Sequence, residues 1–189
     1  MFKKFILPFA ALALCVTALG TQAADKLPVM ASFSILSDLV QVVGGDRIAV
    51  KTLVAADEDA HVFEPKPADA KNLLLTKLLV TNGLGFEPWA QKLVQSAGYK
   101  GQSVVATQGI KTRTMPDAGV KGKSETDPHA WQDPTNVVIY VRNIAAALSK
   151  LDPAGSSIYQ ANSEAYVKAL ETLDAEAKTA FASIAPDKR

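Results

Sequence analysis

The sequence is poor in cysteine and histidine, with one cysteine and two histidines among 189 residues. Cys15 lies in an apolar amino-terminal segment that we expect to be removed, which would leave no thiol in the mature chain. A disulfide framework and a thiolate metal site are therefore excluded. The formal net charge of +1 is too small to attract nucleic acid or an acidic membrane surface. Binding must then depend on local chemistry.

Residues 1–23 have the pattern of a secretory signal peptide. Lys3 and Lys4 precede an uncharged run that ends in small residues, and we predict cleavage near Ala23. One alternative is a membrane anchor, but the strongly apolar part, 5–19, is shorter than the about 20 residues that a spanning helix needs. The other is lipid attachment at Cys15, which Leu14 disfavours because a small residue is expected at that position. We therefore expect a periplasmic or otherwise extracytoplasmic protein.

Motifs for nucleophilic catalysis are also missing. The sequence has no Gly-x-Ser-x-Gly elbow, and no cysteine nucleophile would remain after cleavage. Gly83 and Gly85 follow a predicted strand, but Pro88 stands where a dinucleotide fingerprint has its third glycine. We interpret this segment as a turn and predict that the protein is not an enzyme.

Short apolar runs alternate with helix-forming segments along the chain, and a polar stretch at 109–126 reads as an exposed loop. This alternation predicts an α/β fold, with a four-stranded parallel sheet covered by helices on both faces. The predicted strands cover 27–33, 47–55, 78–82 and 103–107; the predicted helices cover 35–43 after a capping Ser34, a segment from Pro67, then 88–97, 134–149 and 153–185.

Two units follow from this pattern: an amino-terminal α/β lobe at 24–152 and a long linking helix at 153–189. The apolar residues of the helix recur mostly at spacings of three and four, which indicates one apolar face. At 1.5 Å per residue the helix would reach about 45 Å, more than the diameter of a small domain. We therefore expect it to extend beyond the lobe, where its exposed face offers a surface for self-association.

The two histidines occur in matched settings, each two positions after an aspartate and a few positions before a proline. His61 comes after a predicted strand, and ligands bind beyond the carboxyl ends of strands in open α/β sheets. His129 is 68 residues further along, so a shared site would join two loops at one sheet edge.

Neutral imidazole is the commonest metal ligand in proteins, and its second nitrogen is usually held by an acceptor. We predict that His61 and His129 bind a divalent transition metal ion; the alternative is that both are capping or surface residues. The surrounding groups that can support the two rings are the possible outer-shell carboxylates Asp59, Glu64, Asp127 and Asp133, with Trp131 as a wall of the pocket.

Four segments match one known family: SFSILSDLVQVVGGD at 32–46, DAHVFEP at 59–65, NGLGFEPW at 82–89 and DPHAWQDP at 127–134. The sequence resembles the solute-binding receptors of zinc and manganese ABC transporters. Ala60 replaces the proline that is usual in the first histidine motif. The resemblance implies that His61 and His129 are ligands, and that two α/β lobes are joined by one long helix with the metal between them.

The resemblance also implies a function, namely capture of a divalent metal and its delivery to the membrane permease of an ABC transporter. Zinc is the first candidate, and manganese remains possible because the loop at 112–126 lacks a histidine-rich insertion. Only the amino-terminal lobe and the linking helix are matched. The second lobe, which supplies further ligands, is absent, so we expect a truncated receptor with weak metal affinity.

Two other functions are open on the residues alone. Two histidines and a carboxylate can hold zinc with an open water position, as in a zinc-dependent hydrolase. A metal-free adhesion or interaction module is the other possibility.

Overall fold

The structure is a computed structural model that describes residues 25–117, 119–185 and 188. The predicted signal peptide at 1–23, including Cys15, lies outside the described residues. Among the residues described, no helix combines the length and the apolar character needed to cross a membrane.

A four-stranded parallel sheet forms the centre of the fold. Its strands are β1 (Leu27–Phe33), β2 (Ile48–Val54), β3 (Leu78–Thr81) and β4 (Gln102–Val105), in the spatial order β2-β1-β3-β4. The two central strands are almost continuously buried and the edge strands are only partly so, which explains why the central strands are uninterrupted apolar runs. The predicted sheet is confirmed, with strand ends that differ by one or two residues.

In the part of the chain that the structure describes, five α-helices cover the sheet, and they form two packed groups. α1, α4 and α5 pack against one another, and α2 packs against α3. The connections from β1 to β2 and from β2 to β3 run in opposite directions along the sheet. Since such connections between parallel strands are almost always right-handed, the two groups lie on opposite faces, as predicted. The helices are α1 (Ser34–Gly44), α2 (Pro67–Leu74), α3 (Ala90–Ala97), α4 (Pro134–Leu151) and α5 (Ser156–Ala182).

Helix α1 begins one residue earlier than predicted. Ser34 is its first residue rather than its cap, and Phe33, with extended φ and ψ of −148° and 169°, stands at the N-cap position without a side-chain hydrogen bond. The cause is that β1 passes directly into the helix, so the last strand residue takes the cap position. Pro67 opens α2 as predicted, where its missing N–H costs no hydrogen bond.

The stretch at 109–126 is not simply the exposed loop that its composition predicts. β5 (Thr114–Pro116) and β6 (Ser124–Thr126) pair as an antiparallel hairpin. The Asp117 side chain accepts hydrogen bonds from the backbone N–H groups of Gly119 and Val120 and so closes the turn. Both strands are short and largely exposed, and for this reason they lack a hydrophobic period.

The long carboxyl-terminal helix is confirmed, although it starts at Ser156, after a 3-10 turn at Pro153–Gly155. Its 27 residues span about 40 Å. The first part buries Tyr159, Val167 and Leu170 against α1 and α4, whereas Leu173 and Phe181 further along are 52% and 59% exposed. Self-association through this exposed part stays a prediction.

The start of α5 is fastened to the sheet by one carboxylate. Asp152 accepts two hydrogen bonds from the Arg47 guanidinium, at 2.8 and 3.0 Å, and one from the Tyr159 hydroxyl at 2.6 Å. The Tyr159 bond, and after it the bond and charge of Arg47, hold the pKa of Asp152 below its ordinary value of 3.8. Arg47 immediately precedes β2, so this cluster joins residues 105 positions apart in the sequence.

We expect Asp152→Asn to reduce stability at neutral pH and to weaken its dependence on acid. A lowered folded-state pKa contributes stability above the unfolded-state value, and this contribution is lost as pH falls through the folded-state value. The difference in unfolding free energy between wild type and variant should therefore shrink between about pH 5 and pH 3. Urea denaturation across this range measures it.

Asp174→Asn is the control for this measurement, because it removes only an exposed ion pair with Lys178 on α5. Such pairs contribute about 0.3–0.5 kcal/mol. If the difference between wild type and Asp152→Asn stays constant from neutral to acid pH, the proposed role of the carboxylate is wrong.

Candidate metal centre

The two histidines meet beyond the carboxyl ends of the strands. His61 lies in the loop between β2 and α2, and His129 lies in the loop between β6 and α4, just before a 3-10 turn at Ala130–Gln132. Their Nε2 atoms are 3.2 Å apart, although 68 residues separate them in the sequence. The side chain of His129 is 31% exposed, and His61 is exposed.

This separation suits two ligands of one metal ion. Zinc–nitrogen bonds of about 2.0–2.1 Å at a tetrahedral angle place two nitrogens about 3.3 Å apart. The 3.2 Å between the Nε2 atoms of His61 and His129 is close to that value. The same distance allows a ring-to-ring hydrogen bond when one Nε2 carries a proton, and this bond can hold the rings together until a metal displaces the proton.

His129 is oriented by Asp127. One carboxylate oxygen, Oδ1, lies 2.8 Å from the ring Nδ1 and accepts a hydrogen bond from the His129 backbone N–H at 3.0 Å. When Nδ1 donates to this oxygen, the lone pair of the neutral ring is on Nε2, which faces His61. The backbone bond first, and then the ring bond, lower the pKa of Asp127, so it stays an acceptor.

His61 is held in a different way. Asp59 Oδ1 accepts a hydrogen bond from the His61 backbone N–H at 2.9 Å, so this carboxylate shapes the turn. The His61 ring packs edge-on against Phe86, with centroids 4.7 Å apart. Trp89 Nε1 donates to the carbonyl of Ala60 at 2.8 Å and pins the loop from below.

The other two predicted carboxylates point elsewhere. Asp133 caps α4 by accepting from the backbone N–H and the hydroxyl of Thr135, and these bonds, the hydroxyl bond above all, lower its pKa. Glu64 is exposed and lines a groove between α2 and α3 beside Lys92. The role of Asp133 and Glu64 in supporting the imidazole rings stays a prediction.

Trp131 is half-buried in an aromatic cluster beside the histidines. Its ring centroid lies 5.0 Å from that of Phe33, 4.7 Å from that of Phe86 and 5.3 Å from that of His129. These tilted and edge-to-face contacts are the favourable geometry for aromatic rings. The cluster lies against one side of the His129 ring, and the role of Trp131 as a wall of a metal pocket stays a prediction.

A buried polar cluster below the site has no counterpart in the prediction. Glu87 accepts hydrogen bonds from the Ser32 hydroxyl and from the backbone N–H groups of Asn82 and Gly83. Burial raises the pKa of Glu87, and the three hydrogen bonds oppose that rise. The only signal in the sequence is an acidic residue just after the Gly83-Leu84-Gly85 turn, a turn that has positive φ at all three residues.

Within residues 25–117, 119–185 and 188, no group of three or more His, Cys, Asp and Glu side chains is placed to hold a metal ion. The described donors that converge on one point are therefore the two imidazoles. Two ligands leave a tetrahedral site half open.

The same stretch of chain also matches a known protein family. The family model described as "Zinc-uptake complex component A periplasmic" (ZnuA) covers residues 29–189. The chain belongs to this family. ZnuA-family proteins are substrate-binding components of ABC transporters and not enzymes, which confirms the predicted resemblance and the prediction of no catalytic activity.

Curated relatives of this ZnuA-family chain include bacterial lipoproteins. The metal ABC transporter substrate-binding lipoprotein ScbA of Streptococcus cristatus is 35% identical over 97% of this chain and 61% of its own length. The manganese ABC transporter substrate-binding lipoprotein PsaA of Streptococcus pneumoniae is 35% identical over 87% of this chain and 54% of its own length. The chain thus spans less than two thirds of these relatives.

Solved structures of similar proteins share the fold. A Mn-bound periplasmic metal binding protein from Candidatus Liberibacter asiaticus has a TM-score of 0.75 and 34% identity, over 87% of this chain and 60% of that one. Zn(II)-bound AdcA from Streptococcus pneumoniae has a TM-score of 0.69 and 25% identity, over 80% of this chain and 32% of that one.

We expect Asp127→Ala to weaken zinc binding far more than Asp59→Ala does. Each variant removes a carboxylate that accepts from a histidine backbone N–H, but only Asp127 also contacts a ring nitrogen. Loss of such an outer-shell partner costs about 10- to 100-fold in metal affinity. Competition with a zinc indicator gives the two dissociation constants. Equal losses in both variants would contradict the role assigned to the Asp127–ring contact.

Proposed function

We propose that this chain captures a divalent transition metal as part of an extracytoplasmic receptor, with His61 and His129 as ligands. The observation that carries the proposal is the 3.2 Å separation of the two Nε2 atoms, with Asp127 on Nδ1 of His129. Two separate loops hold the Nε2 atoms of the two imidazoles against each other. This arrangement is expected of two ligands of one metal ion and not of two unrelated surface residues. The receptor passes the metal to the membrane permease of an ABC transporter.

Zinc is the metal that we favour. Imidazole nitrogen suits zinc, whereas manganese prefers carboxylate, carbonyl and water oxygens. The relatives point in several directions, since PsaA is named for manganese, MtsA of Streptococcus pyogenes for iron, and AdcA was solved with zinc bound. Manganese is therefore the alternative cargo, and oxygen ligands from outside the described donor pair would favour it.

The chain acts as one side of the binding site in this proposal. Residues 24–152 are the amino-terminal lobe, and 153–189 belong to the linking helix. Two imidazoles satisfy half of a four-coordinate zinc ion, and water or further protein groups complete it. Metal affinity of this chain alone is accordingly weak. We also propose export by a cleavable signal peptide, although the curated relatives are called lipoproteins.

The residues around the two imidazole rings have different roles in metal capture. The exposed His61 meets the incoming metal, and the Asp127 carboxylate keeps the ring proton of His129 on Nδ1 so that Nε2 is available. Phe86 and Trp131 exclude water from one side of the rings, which strengthens the metal–nitrogen interaction.

Isothermal titration with zinc and with manganese tests the proposal. We expect one weak zinc site per chain, and we expect His61→Gln and His129→Gln each to lower the affinity by more than the about 10- to 100-fold of an outer-shell loss. Glu64→Gln is the control, since its exposed side chain lies in the same loop but faces the α2–α3 groove. Zinc binding that survives both histidine substitutions would refute the proposed site.

A further inference from the structure

Asn82 is a fully buried polar residue directly after β3, with 0% of its surface exposed. Its side-chain Nδ2 donates to the carbonyl of Pro128 at 2.9 Å and to the carbonyl of Gly83 at 3.0 Å. Its Oδ1 accepts from the hydroxyl of Tyr140 on α4. The residue therefore joins the sheet, the loop before α4, and α4 itself.

The bond to Pro128 controls the peptide group that leads into His129. The carbonyl of this peptide accepts from Asn82, and its N–H donates to Asp127 Oδ1. Both polar ends of one rigid planar unit are thus held from opposite sides. Because the plane is fixed, the position of the His129 Cα is fixed with it, and the contact of Asp127 with Nδ1 then orients the ring.

The orientation of the Asn82 amide follows from its partners. A carbonyl oxygen can only accept, so Pro128 requires Nδ2 to face it, and Oδ1 is left to face Tyr140. Tyr140 is fully buried, and this burial raises the pKa of its phenol, which keeps the hydroxyl protonated as a donor. Tyr140 thus locks the amide in the orientation that serves Pro128.

The same short loop also reaches the other histidine. Phe86, four residues after Asn82, packs edge-on against the His61 ring. The loop is kept in shape by the Glu87 carboxylate, which gathers the N–H groups of Asn82 and Gly83. One loop therefore supports both imidazoles, His61 through a ring contact and His129 through its backbone.

We propose that Asn82 is a positioning residue for metal capture, which holds the Pro128 carbonyl so that His129 presents Nε2 to His61, with Tyr140 orienting the amide. The inference rests on the proposed metal-binding function and adds a determinant of affinity that does not touch the metal. Its effect is transmitted through the backbone of His129.

Asn82→Leu removes the amide without adding charge, and Asn143→Leu is the matched control. Asn143 also donates from Nδ2 to two backbone carbonyls, those of Ala106 and Gln108, each at 2.9 Å, but the carbonyls belong to the segment after β4 rather than to a histidine loop. Zinc affinity is measured by indicator competition well below the melting temperature of each metal-free variant. Cobalt absorption spectra report the ligand geometry.

We expect both variants to lower the melting temperature of the metal-free chain, whereas only Asn82→Leu should lower zinc affinity, by about tenfold, and change the cobalt spectrum. Tyr140→Phe, which removes one hydroxyl, should lower zinc affinity and change the cobalt spectrum to a smaller extent. If Asn82→Leu does not fold, Tyr140→Phe is used in its place.

Three outcomes would overturn the inference. Wild-type affinity in folded Asn82→Leu or in Tyr140→Phe would do so while the proposed function stands. An equal loss of affinity in Asn143→Leu would show a general effect of destabilisation. A wild-type chain that binds no zinc would overturn the proposed function and the inference together.

Discussion

Parallel pairing of β1 with its neighbours β2 and β3 is the constraint on which the rest of the structure depends. Parallel strands end at one edge of the sheet, so the segments that follow β2, β3 and β4 all emerge there. Loops that are distant in the sequence can then share contacts. Trp89 bonds to Ala60, and Asn82 bonds to Pro128, across 29 and 46 residues. The histidine pair exists because this edge collects the loops that carry it.

Burial of polar groups at this edge is tolerated because each finds a partner. Glu87, Asn82 and Thr107 are all less than 10% exposed, and each makes a hydrogen bond to backbone or side chain in the cluster. Such a cluster costs free energy when one member is lost, since its partner is left unsatisfied in a medium of low dielectric. It therefore specifies one arrangement of the loops, which an apolar contact of equal area would not do.

Sequence patterns predicted the elements that depend on local chemistry. The bounds of β1 match the prediction residue for residue, because an apolar run with charged and polar residues on either side clearly marks where the strand begins and ends. The scarcity of histidine singled out His61 and His129 correctly as neighbours in space. The polar β5–β6 hairpin was missed because exposed strands of three residues carry no period. Asn82 and Tyr140 were missed because burial and a 58-residue separation leave no trace in a single sequence.

Helix α5 extends beyond the part that is packed against the rest of the fold. Asp152 ties Tyr159, near the start of the helix, to Arg47, and the last buried residue of the helix is Leu170. A helix is stiff over this length, so an angular change in the packed part is amplified with distance. A tilt of about 5° moves the end of the roughly 18 Å stretch from Leu170 to Ala182 by about 1.6 Å, which is about half the separation of the two imidazole nitrogens. The angular precision of the packed part therefore sets how accurately anything carried by the far end can be aimed.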